Sequence, residues 1–274
     1  MPRGDQKQET AEQLAAGVAA LAQLRERIDG LVVRHDALPV PHPKSRLAGA
    51  DALNPYDPPS YQAQGLIAVG TDFASSLNMF IQQTGALPLF AQYPMIRATL
   101  EAAATGLWMM DGGRREKIAW RSLQLAWSSA YYEQQLVDEL PPALSVGRRR
   151  NSVPTRLLEL QQGLGDYRGH ELRGPPPITE VLRYVSRFQK LTSTDESALM
   201  VWRACSGIAH ANRPVMNLLL EREPVGSGDN LGAQFKLTSS VALTAYFMLV
   251  AVEYLEMLVD RYETACADPT KAKT

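Results

Sequence analysis

Apolar residues recur in steps of three and four along nearly the whole chain, and clusters of proline cut that rhythm into separate runs. The strict alternation of a half-buried strand does not appear. Helices that each bury one stripe are the expected product. The pattern predicts an all-α fold, a multi-helix bundle with a four-helix core and an added N-terminal amphipathic helix. Of 274 residues, 45% are hydrophobic and 21% charged, so the chain can build a large core and is too apolar to remain disordered.

The first run spans about residues 8–36, where Leu14, Val18, Leu21, Leu24, Ile28 and Leu31 form one stripe. Such a stripe needs the rest of the chain or a second copy to cover it, because a lone amphipathic helix is marginal in water. Pro39, Pro41, Pro43, Pro55, Pro58 and Pro59 then predict a partly extended linker. The expected organisation is an N-terminal helix (1–37), a Pro-rich linker (38–60), a helical domain (61–264) and a disordered tail (265–274).

Within the domain, a second helix over 61–83 carries Leu66, Val69, Phe73, Leu77, Phe80 and Ile81, and Gly85 and Pro88 close it. A third reaches Asp111, with Pro94 kinking or restarting it and Gly112 and Gly113 as the stop. A fourth covers 114–140, a fifth opens at Pro154, and a sixth covers 178–191. Ser193 and Glu196 read as the capping box of a seventh, which carries Leu199, Trp202, Cys205 and Ile208 and stops at Pro214. Residues 221–234 read as a polar surface loop, and 237–262 as the eighth helix. The second, third, seventh and eighth are the expected core.

Composition narrows the function classes. Lys plus Arg (28) nearly cancels Asp plus Glu (29), so nucleic-acid binding would need a local patch such as Arg148, Arg149 and Arg150. Cys205 and Cys266 cannot form a disulfide framework, which fits a reducing cytoplasm. The start lacks the apolar segment of a signal peptide, and the apolar stretch Leu237 to Val252 is shorter than a bilayer span, so no membrane insertion is expected. His35, His42, His170 and His210 are scattered without metal-ligand spacing, and Gly163, Gly165 and Gly169 lack the strand and the Gly-Lys-Ser/Thr of a phosphate loop. No G-x-S-x-G elbow exposes a nucleophile. The expectation is no metal and no cofactor.

Two polar pairs stand on apolar helices. Arg97 and Glu101 are four apart in YPMIRATLEAAATGLWMM, so they can pair, either as an internal salt bridge or as support for a site. Arg203 and His210 share a helix face in VWRACSGIAHANRP, separated by about 10 Å along the axis and too distant to bond each other. Two such helices crossing in a homodimer would bring the Arg of one copy to the His of the other. Imidazole moves protons near neutral pH and guanidinium grips phosphate through paired hydrogen bonds, a combination suited to phosphodiester chemistry without metal. In the structural alternative, His210 closes the helix against its negative end and Arg203 binds Glu101.

The segments TDFASSLNMF, RATLE and WRSLQLAW, followed by WRACSGIAH, resemble an uncharacterised bacterial all-helical family over most of the chain after the linker. The arrangement is also similar to the higher eukaryotes and prokaryotes nucleotide-binding (HEPN) superfamily, whose helical domains carry an Arg followed after four to six residues by a His. Arg203 and His210, with six residues between them, match the longest form, although Ala204 stands where nuclease members usually carry a polar residue. The resemblance implies a homodimer that binds RNA or cuts it without metal, the ribose hydroxyl attacking and Arg203 and His210 lining a shared cleft. Many members only bind RNA or nucleotides. The alternatives are a non-enzymatic scaffold or oligomerisation domain, and a small-molecule sensor with its ligand beside Trp108 and Trp202.

Overall fold

The computed structural model describes residues 8–141, 153–188, 197–225 and 234–270, and these are predominantly helical. The helices are α1 (Ala11–Asp36), α2 (Arg46–Asp51), α3 (Pro59–Thr84), α4 (Gln92–Met110), α5 (Arg115–Glu139), α6 (Val153–Gln162), α7 (Ile178–Ser186), α8 (Ser197–Ala209), α9 (Arg213–Leu219) and α10 (Val241–Cys266). A hairpin of β1 (Leu220–Val225) and β2 (Gln234–Ser239) stands before α10. The chain forms two compact units, one of residues 1–37, 67–104 and 182–258, the other of 38–66, 105–181 and 259–274.

In the first unit, α1 begins with a capping box that the sequence reading did not single out. Gln13 N donates to Thr10 Oγ1 at 3.2 Å, and Gln13 Oε1 in turn accepts from Thr10 N at 2.9 Å. The stripe is only partly covered: Leu24, Ile28 and Leu31 are buried, whereas Leu14 and Val18 are exposed. One residue before the cap, the Glu9 carboxylate accepts from Ser240 Oγ at 2.8 Å, Val241 N at 3.1 Å and Ala242 N at 2.7 Å. It thereby caps α10 and satisfies backbone donors that a helix start leaves orphaned. Farther along, the Arg27 guanidinium meets both oxygens of Glu256, at 2.8 and 2.5 Å.

Gly85 ends α3 as the sequence predicts, with φ +65° and its N–H on Ile81 O at 2.9 Å. Pro94 sits in the first turn of α4, where a missing donor costs nothing, so it starts the helix instead of kinking it.

In the second unit, α5 buries Ala119, Trp120, Leu123 and Ala126 in a cluster with Leu157, Leu164 and Leu172. Arg121 is buried on the same helix. Its guanidinium donates to Trp108 O and lies 4.8 Å over the Trp108 ring, so a charged residue inside an apolar cluster is matched.

Several expectations need correction. Residues 38–60 are not uniformly extended, because the prolines bracket a short amphipathic stretch: Ser45 caps α2, Leu47 and Ala50 are buried, and Asn54 Nδ2 bonds Ser122 Oγ at 3.0 Å. The predicted surface loop at 221–234 supplies nearly all of strand β1 and the first residue of β2, and the cross-strand pairs of the hairpin include Glu223 with Lys236. Strand β2 takes residues assigned to the start of the last helix, so α10 begins at Val241 and runs to Cys266. At 26 residues α10 is long and apolar enough to cross a bilayer, and 61% of its most apolar window is buried in this fold. Pro214 opens α9 rather than merely stopping α8. The predicted capping box at Ser193 and Glu196 lies outside the described residues.

Candidate functional site

The end of α8 sets the geometry. Asn212 N donates to Gly207 O and Ala211 N to Ile208 O, the two bonds of a Schellman motif, with Ala211 in the left-handed position at φ 52°. Glycine is usual there. Gly207 is needed for a different reason, since a Cβ on it would meet Val215 Cγ1 at 2.7 Å where α9 folds back. Asn212 then caps α9 by accepting from Val215 N at 3.3 Å. The tight reversal leaves His210 exposed at the C-cap, one residue beyond the end of α8.

Facing it, α4 presents Arg97 and Glu101, which pair at 2.8 Å as their spacing predicts. Glu101 also accepts from Trp202 Nε1 at 2.6 Å, and the Arg97 guanidinium carbon lies 5.1 Å from the Trp202 ring centre. The Arg97 side chain is about three-quarters buried and that of Glu101 about two-thirds. Held at Nε, Arg97 turns its Nη1 to within 3.4 Å of Ser206 Oγ and 3.4 Å of His210 Nε2. The result is a cation, an imidazole and a hydroxyl converging beside an aromatic ring, with one carboxylate setting their orientation.

Of the predicted site residues, the structure thus brings together Arg97, Glu101 and His210. Arg203 is exposed on α8 and makes no hydrogen bond or ion pair among the described residues. The structural alternative that bound Arg203 to Glu101 is replaced by Arg97 and Trp202 in that role. Arg148, Arg149 and Arg150 lie outside the described residues. Ser206 was missed as a site member and Trp202 was expected only beside a sensor ligand, although a signal existed: Trp202, Ser206 and His210 follow at steps of four, one face of α8 and its C-cap opposite the Arg97 and Glu101 face of α4.

Cys205, between these residues, is fully buried, and burial pushes its thiol up to about 12, so no thiolate is available at neutral pH. Trp108 is buried under Arg121, which occupies the face a sensor ligand would stack on. Among the described residues no group of three or more His, Cys, Asp or Glu is placed to hold a metal ion. No family model, curated protein or solved structure matches the chain.

Proposed function

We propose that the chain is a HEPN-like RNA-binding protein of the cytoplasm, acting as a homodimer, whose site is equipped for RNA cleavage without a metal. The supporting observation is the convergence of Arg97 Nη1, Ser206 Oγ and His210 Nε2, with Glu101 fixing the guanidinium. A phosphate oxygen entering there would accept from Arg97, and exposed Arg203 on the neighbouring turns of α8 would hold the adjoining backbone. In the cleavage step, the ribose 2′-oxygen forms a bond to phosphorus as the bond to the 5′-oxygen breaks. One imidazole takes the proton from the 2′-hydroxyl and a second gives one to the departing oxygen. A homodimer supplies both imidazoles. In the first unit, we take α3, α4, α8 and α10 as the four-helix core carrying the site, with α1 added to it.

Fluorescence anisotropy with a labelled single-stranded RNA tests the binding half. Arg203→Ala is expected to weaken binding about 5- to 10-fold, the scale of one charge-assisted phosphate contact, and to flatten its salt dependence. Affinity and salt slope equal to those of the unchanged protein would contradict the assignment of Arg203, and no binding at low salt would remove the RNA reading.

A further inference from the structure

The second unit holds an excess of positive charge that the RNA reading does not use. Its centre is the turn from α4 into α5, which places Asp111 at one end and Arg115 at the other. Helix α2 packs against α5, and the alkyl part of Arg115 lies on Gly49, where an added Cβ would meet Arg115 Cδ at 3.2 Å. Arg46 stands three residues before Gly49 and so shares that face of α2. From α10, Arg261 reaches the same turn, with Nη1 2.9 Å from Asp111 Oδ1.

The charges in this cluster are not matched. Arg115 is exposed and makes no hydrogen bond or ion pair among the described residues. Arg46 makes none either, although it is half-buried and its Nε is shut off from solvent. Burial first, and the Arg261 guanidinium second, hold Arg46 below the usual arginine range, and Asp111 offsets only part of this. The guanidinium nevertheless keeps its proton at neutral pH, so the unmatched donor is a standing cost. Of the other arginines nearby, Arg121 is held by the Trp108 and Asp111 carbonyls and Arg114 by Asp166. No side chain caps α5, so the leading N–H groups of that helix add to the same field. Glu116, in its first turn, forms no ion pair with any of these arginines.

A buried donor without a partner calls for one from outside the chain, and beside a second free guanidinium that partner is an anion. Arg46, Arg115 and Arg261 face one carboxylate, Asp111, which leaves two positive charges over. A dianion matches that excess, whereas a carboxylate or a phosphodiester carries half of it. We propose that Arg46 and Arg115 bind the phosphate monoester group of a small phosphorylated molecule, beside Arg261 fixed by Asp111. Each of the two free guanidiniums offers a fork of donors to the phosphate oxygens.

Calorimetric titration of the full chain with methyl phosphate, in alkaline buffer where it is a dianion, tests the proposal. Binding saturates at one methyl phosphate per chain and raises the melting temperature. Dimethyl phosphate, a monoanion, binds at least about tenfold more weakly. Arg46→Gln and Arg115→Gln each weaken methyl phosphate binding about tenfold or more, the scale of one charge-assisted contact. Both variants keep the helical spectrum, because one removes a charge that the chain leaves unmatched and the other lies at an exposed position. Arg25→Gln, which removes one positive charge from α1 in the first unit, leaves the affinity unchanged and so separates a built site from general attraction. Failure to saturate, or unchanged affinity in Arg46→Gln and Arg115→Gln, overturns the proposal. Equal affinity for dimethyl phosphate also overturns it and identifies a phosphodiester backbone as the occupant. None of these residues belongs to the RNA site, so failure here leaves that reading untouched.

Discussion

Ala211 shows how one residue can carry the strain that positions another. Its φ of 52° is the left-handed conformation, which costs a residue with a Cβ roughly 1–2 kcal/mol. Ala211→Gly relieves that cost and returns about 0.4–1 kcal/mol of it as unfolded-chain entropy, so chemical denaturation should show a net gain of about 0.5 kcal/mol. A clear loss of stability would mean that the alanine methyl makes packing contacts worth more than the strain. The Arg97 and Glu101 pairing was legible in the sequence because i, i+4 spacing on a helix leaves few alternatives. The Trp202 bond to Glu101 was not, because it joins residues 101 positions apart and depends on how α4 meets α8. Periodicity marks which face of a helix is special and cannot say which face it will meet.

The same division holds for the elements. Long helices were readable from their stripes, and Gly85 from its place after one. The hairpin was not, since LEREPV carries three charges and no apolar alternation, and the alternation of QFKLTS is limited to Phe235 and Leu237. Close approaches between helices were equally hidden. Gly17 in α1 looks like an ordinary weak point of a helix, yet a Cβ there would meet Ala242 N at 2.6 Å and Val241 C at 2.9 Å, both backbone atoms that cannot swing aside. Helix propensity alone favours Gly17→Ala by about 1 kcal/mol, whereas overpacking costs about 1–3 kcal/mol. The clash should win, leaving the variant about 1 kcal/mol less stable. Gly30→Ala in the same helix, with nothing within 4 Å of the added methyl, is the control and should gain about 0.5–1 kcal/mol. Gains at both positions in thermal melts would show that α1 does not dock against α10 at Gly17.

At the scale of the whole molecule, the helical architecture was evident in the sequence and the use of the site was not. Neither composition nor fold selects RNA; the near-neutral charge balance gives no long-range attraction, so any recognition is local to α4 and α8. The cleavage chemistry also asks for two imidazoles, and one chain offers His210 alone at this site. Sedimentation equilibrium should therefore find a dimer at micromolar concentration, and a monomer there would leave the proton-transfer scheme without its second group. The most direct measurement is incubation of purified protein with single-stranded RNA in excess chelator, followed by analysis of the ends produced. Cleavage leaving 2′,3′-cyclic phosphate and 5′-hydroxyl ends, reduced about 100-fold or more in His210→Ala with the helical spectrum intact, is the expected result. Intact RNA across varied sequences, or cleavage undiminished in His210→Ala, would contradict it.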